Sequence, residues 1–260
     1  MSPISITGKV TLKQSNTGVP DLDAQQYIAA VEAADGQALE DGVSLAIHRF
    51  VAGCKSDGIW GAIKASCILA GARTLSGALV PLKGTAPTNN NFVSGDYNRE
   101  TGLVGDGSTK YLDSNVSDQE LIETNHSFCL NISTLPLQTG GLIDLGRGST
   151  GATGIHYTAG TFAIRSANSS LVTITAATGF VGLARSSSLE FVTRVISNQT
   201  HVRSSLVLRS GTVNLYRYSE PTQSYSNGRL TFYSIGESID LALLDSRVST
   251  LMTDIGAAIP

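Results

Sequence analysis

The chain of 260 residues carries 27 glycines, a single tryptophan and only 15% charged residues, where soluble domains commonly carry about 25%. Its 41% hydrophobic content is enough for a sizeable core and excludes a disordered chain. A formal net charge of −3 leaves no basic excess for phosphates or an anionic bilayer, so neither nucleic acid nor membrane is expected as a partner.

The first ten residues have neither the basic nor the apolar region of a secretory signal, so the product is expected to be made in the cytoplasm of its cell. Residues 1–19 read as an extended arm or short strand pair. Ile4, Ile6, Val10 and Leu12 recur at even spacing among polar neighbours, which marks them as candidate subunit-interface residues. Residues 20–84 read as a helical module. A first helix opens after Pro20-Asp21 and is interrupted at Gly36. A second places Leu39, Val43, Ala46, Ile47, Phe50 and Cys54 on one face, and a short apolar helix spans Ile59 to Leu69.

Residues 85–91, Thr-Ala-Pro-Thr-Asn-Asn-Asn, have the composition of a linker. From 92 to 239 about ten short apolar runs alternate with Gly, Ser and Asn clusters, from Phe128-Leu130-Ile132 through Leu206-Leu208 to Leu230-Phe232, which predicts an antiparallel sandwich or barrel. Residues 240–260 predict a C-terminal helix packed on the sandwich, capped by Asp240, with Leu241, Leu244, Val248, Leu251, Met252 and Ile255 on one face and Gly256 at its end. Cys54, Cys67 and Cys129 are separated, odd in number and set among apolar residues, as buried reduced thiols would be.

The search for chemistry yields few constellations. His48, His126, His156 and His201 lack ligand spacing with one another or with the cysteines, so no metal site and no cofactor is expected. Gly146-Arg147-Gly148-Ser149-Thr150-Gly151 matches a dinucleotide fingerprint, but the following Ile155-His156-Tyr157 reads as a strand, which favours a hairpin loop. Asp118, Glu120 and Glu123 stand at the spacing of retaining glycosidase carboxylates, although their flanks read as loop. Tyr216, Tyr218 and Tyr225 are the candidate carbohydrate-binding residues, with the first two expected on the strand face opposite Val213 and Leu215.

Longer strings carry a resemblance. Asp96 to Asn115, with Tyr97-Asn98-Arg99-Glu100-Thr101-Gly102-Leu103 and Gly107-Ser108-Thr109-Lys110-Tyr111-Leu112, resembles the opening hairpin of laminin-G/concanavalin-A-like jelly-roll domains in tailed-bacteriophage virion proteins. Tyr225-Ser226-Asn227-Gly228-Arg229-Leu230 and Phe232 to Leu241 are similar to the end of those domains. Tyr27 to Gly36 and Gly53 to Leu75 resemble the helical module that precedes them. The resemblance implies a mainly β, concanavalin-A-like antiparallel sandwich in a virion, placed there as capsid decoration or as part of a tail or fibre. It implies no enzymatic activity, and as partners other virion proteins and copies of the chain itself, with a trimer as one arrangement. A receptor-binding lectin module that recognises a host surface glycan is the alternative, and a polysaccharide depolymerase resting on the three carboxylates is a more remote one.

Overall fold

The computed structural model describes residues 21–146, 150–218 and 224–260. The arm residues Ile4, Ile6, Val10 and Leu12 lie outside them. Asp21 caps the first helix, α1 (Leu22–Asp35), by accepting hydrogen bonds from the amides of Asp23 and Ala24 at 3.0 and 3.3 Å. Gly36 ends it in the left-handed conformation at φ 70°, which a residue without Cβ adopts at little cost. The remaining helices are α2 (Asp41–Ser56), α3 (Leu75–Ala78) and α4 (Leu241–Ala258). Gly256 lies inside α4 and does not cap it.

The strands are β1 (Ile63–Ile68), β2 (Thr88–Asn90), β3 (Tyr97–Asn98), β4 (Gly102–Val104), β5 (Tyr111–Ser117), β6 (His126–Thr134), β7 (Gly140–Leu145) and β8 (Thr153–Thr158). They continue with β9 (Thr161–Arg165), β10 (Val172–Thr175), β11 (Gly179–Arg185), β12 (Glu190–Arg194), β13 (Asn198–Val202), β14 (Thr212–Leu215) and β15 (Arg229–Gly236). All recorded pairings are antiparallel, in two packed sheets. The first runs β13-β12-β11-β6-β15-β4-β3, with β1 sharing an edge of β15, and the second runs β10-β9-β8-β7-β14-β5-β2. The expected mainly β sandwich with flanking helices is what the chain forms.

The core has two layers because the first sheet is buried on both faces. Phe128, Leu130, Val181, Leu183, Tyr233 and Ile235 point inward against Leu112, Ile143, Leu145, Ile155, Phe162, Ile164, Val213 and Leu215 of the second sheet. From the other face Cys129, Phe180, Ala184 and Phe232 meet Phe50 of α2 and Leu241, Leu244 and Val248 of α4. Phe50 and Phe232 make an edge-to-face contact at 5.8 Å. The three cysteines are buried and free, and burial pushes each thiol up to about 12.

Several local expectations are corrected. Ile59 to Leu69 is not a helix: after a single 3₁₀ turn at Trp60–Ala62, Ile63–Ile68 pairs with β15 inside the sandwich. A short apolar run has no decisive period, and its β-branched ends suit a strand buried on both faces. Within 85–91, Thr88–Asn90 forms an edge strand on β5 rather than a bare linker. Leu206-Leu208 is irregular, whereas the polar Asn198–Val202 is a strand.

Candidate functional site

Sealing the first sheet beneath the helices leaves the outer face of the second sheet as the broad open surface of the sandwich. Along its strands the residues between the core aliphatics point outward. The register sets Asp113, Asn214, Asp144, Gly154 and Arg165 side by side across five neighbouring strands, β5, β14, β7, β8 and β9.

The centre of this row is buried. Asp144 is 0% and His156 2% exposed, and His156 Nε2 lies 2.7 Å from Asp144 Oδ1. Gly154 makes that approach fit: a Cβ there would stand 2.8 Å from both Asp144 Oδ1 and His156 Nε2. The Tyr218 ring packs edge-on against the imidazole with centroids 4.4 Å apart. Towards β5, the Asn214 side-chain amide donates to the Thr212 carbonyl at 2.9 Å and its oxygen accepts from Arg217 Nε at 3.2 Å. The Arg217 guanidinium lies 3.4 Å from the centroid of the Tyr111 ring, and the Thr212 hydroxyl donates to Asp113 at 3.0 Å.

Two clefts open on this face. One of about 340 Å³ is lined by Thr139, His156, Thr158, Ala163, Arg165, Leu171 and Tyr218. The other, of about 230 Å³, is lined by Gly146, Arg209 to Thr212, Asn214 and Arg217. Hydroxyl, amide and guanidinium groups around a small apolar floor suit a polyhydroxylated ligand. Among the described residues no three His, Cys, Asp or Glu side chains converge as a metal-ion site.

The three tyrosines named from the sequence do not form one stacking surface. β14 ends at Leu215, and Tyr216 takes a left-handed backbone at φ 68°, so strand alternation does not carry through it. Its side chain is fully buried, donating from its hydroxyl to the Leu103 carbonyl at 2.6 Å and meeting Phe92 edge-on at 5.0 Å. Tyr218, 4% exposed, lines the first cleft beside His156, with its ring edge-on to the imidazole. Tyr225 is half-buried, with its ring 6.3 Å from Tyr111. Sequence reasoning missed Asp144, Asn214 and Arg165. Their signal was present as polar residues, Asp144 and Asn214 interrupting the apolar runs Leu142–Leu145 and Val213–Leu215 and Arg165 ending Phe162–Ile164.

Two of the three acidic residues, Asp118 and Glu120, have other work. Asp118–Glu120 is a 3₁₀ turn in which Glu120 accepts from the Ser117 amide at 2.8 Å, while Asp118 accepts from the Gly211 amide at 2.9 Å. It is a turn, so it does not present two carboxylates on one strand face. Gly146 to Gly151 lies in the connection between the paired strands β7 and β8, where a hairpin loop was expected.

A second polar cluster is sealed between the sheets. His126 Nδ1 bonds the Ile122 carbonyl at 2.9 Å, and its Nε2 bonds the Ser166 hydroxyl at 2.8 Å. The fully buried Arg185 donates to Ser166 Oγ and to the carbonyls of Ser166, Ser187, Glu190 and Arg203 at 2.7–3.1 Å. Burial pushes His126 down to about 4, against its bond to Ile122 and reinforced by the Arg185 charge.

No protein-family model and no curated protein sequence matches this chain. Solved structures similar to it include Trypanosoma rangeli sialidase in complex with sialic acid, at 13% identity and TM-score 0.47, over 75% of this chain and 34% of that one. The binding domain of botulinum neurotoxin serotype D is similar at 14% identity and TM-score 0.46, over 73% of this chain and 51% of that one. The enzymatically active domain of bacteriophage CBA120 tailspike protein 2 is similar at 10% identity and TM-score 0.39, over 68% and 30%. This chain thus spans about a third to a half of the length of these relatives, and the likeness is one of architecture alone. They nevertheless correct one expectation. Sialidases and an enzymatically active tailspike domain are among the similar structures, so the absence of enzymatic activity does not follow from this architecture. Among the described residues no helix is long and apolar enough to cross a membrane.

Proposed function

We propose that this chain is a component of a tailed-phage virion that works by protein–protein assembly, as its resemblance to virion jelly-roll domains implies. The observation that carries the reading is the apolar surface along the β12–β13 hairpin and the segment after it. Leu189, Ile196, Val202 and Val207 are 66%, 82%, 72% and 82% exposed. Leu189 and Val202 adjoin, since the Arg203 amide bonds the Leu189 carbonyl at 2.9 Å. Large aliphatics left this exposed, with Leu189 and Val202 side by side, favour a surface with a protein neighbour. Particles purified from infected cells are expected to contain the chain, and a Leu189→Glu, Val202→Glu variant that folds normally is expected to be missing from them. Particles devoid of the wild-type chain would overturn the reading.

A second reading is supported by the 340 Å³ cleft beside the buried Asp144–His156 pair: a host surface glycan as ligand. The bond to the buried Asp144 holds the His156 side of the cleft in place before a ligand arrives, which lowers the ordering cost of binding. Glycan-array signal that is lost in Thr139→Trp, at the exposed rim, is the expected outcome. Silence of the wild-type chain across bacterial surface polysaccharides removes this reading.

A further inference from the structure

The first sheet ends in an edge without the usual protection. β13 is its outermost strand, and its only strand partner among the described residues is β12, over five regular pairs with no bulge. Its sequence, Asn-Gln-Thr-His-Val, has no proline and no lysine, the residues that commonly blunt such edges. Of the other outer strands, β3, β2 and β10 have two, three and four residues, and the six-residue β1, whose one strand partner among the described residues is β15, has its outer side engaged at Ser66 by a bridge to Lys83. β13 is therefore the longest row of backbone donors and acceptors open to another strand.

The chain also carries a segment of the right pattern ahead of α1. Ile4, Ile6, Val10 and Leu12 alternate with Ser5, Thr7, Lys9 and Thr11, and residues 13–20 form a polar spacer of roughly 26 Å when extended at ~3.3 Å per residue. A relay of side-chain contacts joins the start of α1 to β13. Asp21 pairs with Lys55 at 2.8 Å, Asp57 with Arg247 at 2.7 Å, Asp245 with Arg194 at 2.7 Å, and Arg194 with Asn198 at 3.2 Å. Asp21, the first described residue after that segment, is thereby linked through α2 and α4 to the β12–β13 pair.

We propose that β13 accepts the Ile4–Leu12 segment of a second copy of this chain as an added strand. Main-chain hydrogen bonds supply the attachment and the alternating aliphatics its register. A second copy fits better than the chain's own arm because one strand on β13 leaves Ile196 and Val207 in water, whereas a neighbour that brings its body with its arm also covers these 82%-exposed side chains. The inference concerns the purified chain and does not depend on a particle, so its failure is separate from that of the virion reading.

Sedimentation velocity over a concentration series tests it. The full chain is expected to associate, and removal of residues 1–12 is expected to leave a single-chain mass with an unchanged circular dichroism spectrum. Mixing copies that carry Thr200→Cys with differently tagged copies carrying Ile4→Cys, Ile6→Cys or Val10→Cys is expected to give disulfide-linked heterodimers under mild oxidation. A full chain that stays monomeric, an oligomer that survives the deletion as edge-to-edge pairing would, or cross-links confined to single chains bearing both cysteines, each overturns the proposal.

Discussion

Asp144 and His156 sit on the outer face of a sheet, yet are only 0% and 2% exposed, and that combination sets what substitutions there will do. Removing one member of a buried, hydrogen-bonded pair costs about 3–5 kcal/mol, because the polar atom that remains loses that partner. Asp144→Ala is expected to lower unfolding stability by about 3 kcal/mol in urea titration, and Asp144→Ala combined with His156→Ala to cost less than the sum of the two single changes. Additive losses would mean that the two side chains do not act as a unit. His126 makes a separate prediction. Its imidazole is pushed down to about 4 in the fold against an ordinary value of 6.5, so the unfolded chain takes up the proton first. Its stabilisation is complete above pH 6.5 and is lost as pH falls from 6.5 to about 4. At ~1.4 kcal/mol per pH unit the loss is roughly 3 kcal/mol. His126→Gln should flatten the stability profile over that interval, and an unchanged slope would assign it to other groups.

At the scale of elements, α4 decides whether the first sheet keeps a dry outer face. Leu244 and Val248 are fully buried against the same layer as Phe180 and Phe232. Leu244→Ala is expected to cost about 2–5 kcal/mol, because the sheet beneath cannot collapse to fill the space. Asp240→Ala removes the acceptor for the Ala242 and Leu243 amides and should cost about 1 kcal/mol. Comparing the two by thermal melting separates packing from capping. This helix was legible in the sequence because its apolar residues repeat at helical spacing beside a strong cap. β1 was not legible, because strand and helix cannot be told apart in six residues buried on both faces. The sandwich could be read from its alternating runs, but the site within it could not. Asp144, Asn214 and Arg165 stand far apart in sequence and become a row only through a register that long-range pairing sets. The tyrosine reading broke down from Tyr216 onward, whose left-handed backbone no alternation rule anticipates and after which Tyr218 is buried as well.

At the scale of the molecule the low charge, 15% of residues, is distributed between surfaces of different character. Helices cover one sheet, a polar row with two clefts occupies the outside of the other, and the polar β13 edge is flanked by the exposed Leu189, Ile196 and Val207. The edge and the cleft share no lining residue, so changes at one should leave the other intact, as distant sites without common partners generally do. A chain lacking residues 1–12 is expected to keep whatever glycan-array signal the full chain shows at each single site, while losing apparent affinity on a dense glycan surface. One linked copy raises the effective concentration of the next, and avidity commonly contributes 10²–10⁴-fold without any new contact. Thr139→Trp should produce the reverse: an unchanged sedimentation profile and no signal at any glycan density. If the truncated chain loses signal at low density as well, the arm belongs to the binding cleft, and assembly and recognition are one surface rather than two.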